Sequence, residues 1–296
     1  MKVRKEISGV HIFKRDTGLH ILLDEIELPQ EEICNSPRTF SIALTNVCDL
    51  KCPFCYAPKS KHSLDFEYLK NVILEAEKLQ VLEITLGGGE PLLYPNIIEL
   101  IDWIHSRTTL GVSLTTHGHH LNKKLINQIK GKLSKLRISI DDIEPRYSLI
   151  RGRPLLELEK KILEFVSNNI SFGINIVVNQ DYITNLPKTI EYIISLGAED
   201  ILLIPEHVNG IVKYKKKQWN LLNDIMEKYQ NRIQLNVTST TMKEIAIKTI
   251  VTAKNNEFMF AHLSADKKIK FNSYTTEGLL LLNPEELKNR FITLNN

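Results

Sequence analysis

Three of the chain's four cysteines, Cys48, Cys52 and Cys55, fall within eight residues, in the run Thr45-Asn-Val-Cys48-Asp-Leu-Lys-Cys52-Pro-Phe-Cys55-Tyr-Ala-Pro58. Gaps of three and then two residues, just past an alternating apolar stretch, put three thiols on one loop. Structural zinc usually takes four protein ligands, so a zinc site would need a distant partner, Cys34 or one of nine histidines. Three thiolates with no fourth nearby suit a cubane iron–sulfur cluster with one iron open to a small molecule. Other reactive groups are spaced along the same half of the chain. Leu86-Gly-Gly-Gly-Glu90 pairs a backbone that a ligand can approach closely with a carboxylate that can face an ammonium group. Thr115-Thr-His117-Gly-His119-His120 gathers three histidines, for acid–base work or a second metal. Ser139-Ile-Asp141, Glu206 and His207 add further polar groups, and Arg151 and Arg153 suit a carboxylate or a solvated loop.

These segments need elements to position them. The chain has 296 residues, 43% hydrophobic and 25% charged, which excludes collagen-like, low-complexity and largely disordered classes. A net charge of +3 gives no argument for nucleic acid. No apolar run is long enough to span a bilayer and no signal peptide is evident, so a cytoplasmic protein with no membrane partner is expected. Residues 10–13 and 19–23 flank a Gly-ended turn and predict a hairpin. Strands are expected over 39–45, 81–86, 110–116, 135–141, 171–179 and 200–205, with helices between, including 64–79 behind a Ser63 cap and 155–168 behind Pro154. Strands alternating with helices imply parallel pairing. Five of these strands alternate apolar with small or polar residues, so a sheet that curls would enclose a polar lumen fit for a ligand. The sixth, Ile201 to Pro205, is apolar on both faces and reads as an edge. Beyond residue 207 a lysine-rich helix over 213–229, short strands within 257–282 and a final helix over 284–291 are expected.

The CxxxCxxC run, with Phe54 before its last cysteine, resembles the signature of the radical S-adenosylmethionine (radical SAM) enzymes. Gly88-Gly89-Glu90 after the second strand resembles that family's Gly-Gly-Glu motif. Thr115-Thr-His-Gly118 resembles its Thr-Asn-Gly segment, with His117 in place of Asn, and Ser139-Ile-Asp141 resembles its Ser-x-Asp. The resemblance covers residues 39 to about 206. It implies an α/β fold, a partial (β/α)6 TIM-type barrel over 37–210, with an N-terminal hairpin extension over 1–36. A small α+β extension over 211–296 would cover the substrate side.

By the same resemblance Cys48, Cys52 and Cys55 hold a [4Fe–4S] cluster, whose fourth iron takes the amino and carboxylate groups of S-adenosylmethionine. Gly88, Gly89 and Glu90 would hold the methionine ammonium, and Thr116 and Ser139 its carboxylate or ribose. Phe54, Asn175, Val177 and Asn179 would border the adenosine. One electron, from a flavodoxin- or ferredoxin-type donor, cleaves the sulfonium to a 5′-deoxyadenosyl radical that abstracts hydrogen from a C–H bond. His117 and Asp141 are candidate catalytic groups. His119, His120, Arg151, Glu206 and His207 are candidate substrate contacts. The wording of the cysteine run resembles the peptide-modifying branch. Residues 261–274 resemble the hairpin of that branch's cysteine-rich SPASM domain, with its cysteines gone. No cysteine follows Cys55, so no auxiliary thiolate-ligated cluster is expected, and Cys34 is left as the sole spare thiol, either a buried free cysteine, the commoner case, or a group for returning hydrogen. A peptide or protein substrate is the leading expectation. Small-molecule tailoring by the same chemistry, and an iron–sulfur regulator or electron carrier, remain open alternatives.

Overall fold

The computed structural model describes residues 1–167, 170–208, 211–246 and 258–295. Residue 168 of the expected helix over 155–168, Glu257 of the last segment, and the 210 side of the boundary at 210/211 lie outside them.

The strand readings reappear as β4 (Thr39–Thr45), β5 (Glu83–Gly88), β6 (Gly111–Thr116), β7 (Lys135–Ser139), β8 (Phe172–Val178) and β9 (Asp200–Pro205), following β1 (Lys2–Glu6), β2 (Gly9–Lys14) and β3 (Leu19–Leu23) at the N-terminus. Between them run α1 (Phe66–Lys78), α2 (Ile97–Arg107), α3 (Lys123–Ile129), α4 (Arg146–Arg151), α5 (Leu155–Ser167) and α6 (Leu186–Ser195). After β9 come the short strands β10 (His207–Val208) and β11 (Ile211–Val212). The helix α7 (Lys216–Tyr229), the strands β12 (Gln234–Val237), β13 (Phe260–Leu263), β14 (Lys268–Lys270) and β15 (Leu279–Leu280), and the helix α8 (Leu287–Asn295) follow.

One sheet of ten strands runs β12-β9-β8-β7-β6-β5-β4-β13-β14-β15. All pairs from β12 to β13 are parallel. The described strands therefore form an open barrel, extended at both edges by strands from the C-terminal third. This corrects the reading of β9 as an edge, since β8 and β12 flank it. Its two apolar faces reflect a covered position. The four-residue β12 has too short an alternation to stand out in the sequence.

Alternation along the strands sorts the two faces. Phe40, Ile42, Leu44, Ile84, Leu86, Leu114, Ile138 and Ile174 are fully buried toward the helices. Ser41, Thr85, Thr115, Ser139 and Asn175 line a central cavity. Amphipathic helices cover the outside; α1 buries Leu69, Val72, Ile73 and Ala76. Its cap is Asp65, which accepts from the Tyr68 amide at 2.9 Å. The expected cap, Ser63, instead meets Thr45 Oγ1 at 2.7 Å and ties the helix start to the end of β4.

The N-terminal hairpin gains a third strand, β1, against β2. This small sheet closes the barrel at the N-terminal ends of the strands. There Arg4 donates to the Gln80 and Pro37 carbonyls, and Arg15 donates to those of His105 and Thr108. Arg4, Glu6, His11 and Arg38 are buried together in that closure. Although burial alone would raise it, hydrogen bonds from His11 and Arg38 and the charges of Arg38 and Arg4 bring the Glu6 carboxyl down to about 2. A folded pKa below the ordinary 4.5 contributes stability that is complete above that value and lost as pH falls toward 2. Glu6→Gln should therefore destabilise by about 2–3 kcal/mol at pH 7. The gap to wild type in urea unfolding should close between pH 5 and 2; a pH-independent gap would contradict the ionic role.

Candidate active site

The site lies at the C-terminal ends of the strands, where barrel active sites gather, in a cavity of about 430 Å³. Cys48, Cys52 and Cys55 all line it from the loop after β4. Each is partly buried and none is in a disulfide. Burial pushes the Cys48 and Cys52 thiols up, and the Arg151 guanidinium opposes this at Cys52. The loop is fastened from several sides. The amides of Gly89 and Glu90 donate to the carbonyls of Thr45 at 2.6 Å and Val47 at 2.8 Å. That approach explains the glycines: a Cβ on Gly88, whose φ is +119°, would lie 2.4 Å from the Thr45 carbonyl oxygen, and one on Gly89 2.3 Å from that of Val47.

Glu90 is fully buried. Its Oε1 accepts from the Leu92 amide at 3.0 Å and Thr116 Oγ1 at 2.6 Å. Its Oε2 accepts from the His117 amide at 3.0 Å and lies 3.2 Å from His117 Nε2. All four acceptor positions of the carboxylate are thus taken. His117 Nδ1 accepts from the His119 amide at 3.1 Å, which assigns the ring proton to Nε2, shared between Glu90 and Asp49 Oδ1 at 3.0 Å. Burial lowers the His117 pKa against the opposing pull of Glu90 and Asp49, so the ring is neutral near pH 7.

Asp49, which the sequence reading passed over, is a hub. It accepts from His117, from His120 Nε2 at 3.1 Å and from Arg153, tying the cysteine loop to the loops after β6 and α4. Burial raises its carboxyl, but the hydrogen bonds and charge of His117 and the bond from His120 prevail and bring it to about 2. Cys48, Asp49 and His117 bring their ligand atoms within 4.8 Å of one another. Asp49→Asn should cost about 1–2 kcal/mol of stability. It should also speed iron loss from the reconstituted protein to a chelator; an unchanged loss rate would contradict the clamp.

The other sequence-read residues divide between the cavity and elsewhere. Phe54, Gly88, Gly89, Glu90, Thr116, His117, Ser139, Asp141, Arg151, Asn175, Val177 and His207 line it. Asn175 accepts from Arg137 at 3.2 Å. His207 stacks on Tyr274 at 3.8 Å between centroids. Asn179 and Glu206 do not line it: they bond each other in a neighbouring cavity, because β8 ends before Asn179 and the strand's alternation no longer aims its side chain inward. His119 is buried off the cavity, its Nε2 2.9 Å from the Tyr147 hydroxyl, and burial pushes its pKa down to about 4. His120 faces Asp49 instead. Cys34 is at the opposite end of the barrel, its Sγ on Ser36 Oγ and the Leu79 carbonyl, because the chain must still traverse β4 to reach the mouth. It can neither complete a zinc site with the other three nor return hydrogen in this cavity. Missed by sequence were Asp49, Leu202, Ile204, Val237, Phe260 and Tyr274. The last three could have been found only by knowing that the C-terminal third joins the sheet.

Three soft thiolates on one loop, no fourth within reach, and an adjoining cavity lined by Gly88, Gly89 and the buried Glu90 carboxylate fit an iron–sulfur cluster with one open iron. Comparison with known proteins agrees. A Radical SAM superfamily profile matches residues 42–193. The uncharacterised protein MJ0907 of Methanocaldococcus jannaschii is 31% identical over 199 residues, 64% of this chain and 67% of that one. A probable GTP 3′,8-cyclase of Methanococcus maripaludis is 27% identical over 181 residues, 58% of this chain and 59% of the cyclase's length. The crystal structure of Streptococcus suis SuiB bound to precursor peptide SuiA has the same fold, with a TM-score of 0.70 at 13% identity, covering 92% of this chain and 81% of that one. Among the described residues no helix is long and apolar enough to cross a membrane. The chain belongs to the radical SAM superfamily, enzymes that work with a [4Fe–4S] cluster and S-adenosylmethionine.

Proposed function

We propose that this enzyme abstracts a hydrogen atom from an aliphatic C–H bond of an uncharged group, and that a peptide side chain is the class of substrate. When bound, the cluster and S-adenosylmethionine supply the one-electron chemistry; the chain's residues hold, aim and seal. Cys48, Cys52 and Cys55 hold the cluster. Gly88, Gly89 and Glu90 would receive the methionine ammonium, and His117 keeps its bond to Asp49. Thr116 and Ser139 face the carboxylate and ribose, and Phe54, Asn175 and Val177 border the adenosine.

The observation that carries the substrate class is the opposite wall. Leu202, Ile204, Val237, Phe260 and Tyr274 line it beside His207, Thr238, Asn272 and Ser273, and among the described lining residues the single arginine, Arg151, is already paired with Asp141. An apolar wall excludes water and admits a neutral group. The N-terminal sheet takes no part, since it closes the far end of the barrel. Exposed Lys51, Lys59 and Lys61 beside the cysteine loop suit docking of an acidic flavodoxin- or ferredoxin-type reductant.

The cyclase relatives favour a second reading, a nucleotide substrate. A triphosphate would bring several charges to a wall with no free cation among the described lining residues. The two readings separate in one assay. Anaerobically reconstituted enzyme with S-adenosylmethionine and dithionite is offered GTP or a size-fractionated peptide pool. Our reading predicts that 5′-deoxyadenosine formation rises with the peptide pool and not with GTP. A rise with GTP alone would overturn it.

A further inference from the structure

A second cavity of about 240 Å³ opens beside the first, on the C-terminal hairpin β13–β14. Strand register runs from its wall to that of the first cavity. Lys270 lies opposite His262, His262 opposite Ser41, and Ser41 opposite Thr85, a polar row across β14, β13, β4 and β5. His262 Nδ1 meets Ser41 Oγ at 3.1 Å, and burial drives its pKa down to about 3, so the imidazole is neutral. Asp266, the cavity's carboxylate, is engaged: Oδ1 accepts from Ser264 Oγ at 2.5 Å and Oδ2 pairs with Lys268 at 3.2 Å. Lys270 is different. Only 6% of its surface is exposed, and that exposure includes the ammonium, which opens on the cavity with no hydrogen bond or ion pair among the described residues. Burial pushes its pKa down and Asp266 opposes this. With its stem covered and its ammonium open to the cavity, Lys270 offers a charge with which an entering anion can pair in place of water.

The two cavities share Tyr56, Gly88, Ser273 and Tyr274 as lining. An anion held at Lys270 would therefore leave the rest of its molecule beside the site of hydrogen abstraction. We propose that this second cavity is a substrate subsite for one anionic group, a carboxylate or a phosphate, bound by the Lys270 ammonium beside the His262 imidazole. The assignment to substrate rests on the hydrogen-abstraction reading above; the anion site itself does not. The subsite also reconciles a neutral reaction wall with a substrate that carries one charge at a distance, such as a peptide carboxylate.

The test uses the full cluster-loaded chain under anaerobic conditions, with inorganic phosphate, N-acetylglycine and its neutral twin N-acetylglycinamide as probes. Acetylation of Lys270 by a reactive ester, read by peptide mass spectrometry, should slow about tenfold with phosphate or N-acetylglycine and not with the amide. Acetylation of exposed Lys213 and Lys217 should be unaffected by all three. Whichever anion protects more strongly names the source. Calorimetric affinity for that anion should fall at least about tenfold in Lys270→Met and be largely kept in Lys270→Arg. The labelling arm needs no variant and stands if one misfolds. Equal labelling with and without anions, or Lys270→Met binding as tightly as wild type, would overturn the site. Protection by S-adenosylmethionine alone would overturn its assignment to substrate. Wild-type cleavage of S-adenosylmethionine is assayed in parallel: anion protection without 5′-deoxyadenosine would sink the reading of the main cavity and leave the anion site standing.

Discussion

Replacing Arg151 by methionine is expected to destabilise the chain by about 3–5 kcal/mol, because it strands a buried carboxylate. Arg151 and Asp141 have side-chain exposures of 8% and 2%. Arg151 Nε donates to Asp141 Oδ2 at 2.7 Å, a second guanidinium nitrogen reaches the same oxygen, and Nη1 points at Cys52 Sγ from 3.6 Å. The ring of Phe54 lies 5.7 Å from the guanidinium. Without Arg151, Asp141 keeps the Val177 amide at 3.0 Å as its described donor. Arg151 thus joins Asp141, which follows β7 and holds the Val177 amide of β8, to the cysteine loop, which ties stability to cluster retention. Urea unfolding of the anaerobic protein should show the midpoint falling at unchanged slope. Adding Asp141→Asn to Arg151→Met should restore much of the loss, since removing both charges removes the stranded one. A single variant within 1 kcal/mol of wild type, or a double variant no better than the single, would contradict this.

Glu90→Gln is expected to weaken S-adenosylmethionine binding roughly 10- to 150-fold, the loss of a bond to a charged group in a buried site. Gln is nearly isosteric, so the fold is retained. Its amide nitrogen must nonetheless face a donor, either the Leu92 and Thr116 side or the His117 side. A further stability loss of about 1–3 kcal/mol follows. The two effects separate by titrating S-adenosylmethionine into cluster-loaded protein and unfolding the same preparation in urea. Binding unchanged alongside lowered stability would assign Glu90 to holding the His117 loop alone.

Much of this architecture was legible because strand alternation is a local signal. Phe40, Ile42 and Leu44 against Ser41, Ala43 and Thr45 declare both the strand and its lumen face within seven residues. The cysteine loop, the Gly-Gly-Glu turn and the Thr-Thr-His-Gly segment each end a strand, so placing the strands placed them around one mouth. What failed were readings that depend on partners distant in sequence. Cys34 is 14 residues from Cys48, yet β4 lies between them and carries the chain the length of the barrel. Asn179 lies one residue beyond the end of β8, and that residue decides which cavity it enters. The histidines of His117-Gly-His-His120 look alike in sequence, but only His117 reaches the cavity; His119 goes to Tyr147 and His120 to Asp49. β12 and β13 were hidden as sheet members because pairing with β9 and β4 leaves little trace in four residues.

On the proposed function, the three thiols hold a cluster with one iron reserved for S-adenosylmethionine. Electron paramagnetic resonance of the anaerobically reconstituted, dithionite-reduced protein tests it most directly, before and after S-adenosylmethionine is added, with 5′-deoxyadenosine measured in the same tube. Expected are a reduced cluster signal that changes when S-adenosylmethionine binds, 5′-deoxyadenosine in the product, and neither in the triple variant Cys48→Ser, Cys52→Ser, Cys55→Ser. A redox-active cluster whose signal ignores S-adenosylmethionine, with no 5′-deoxyadenosine formed, would contradict it.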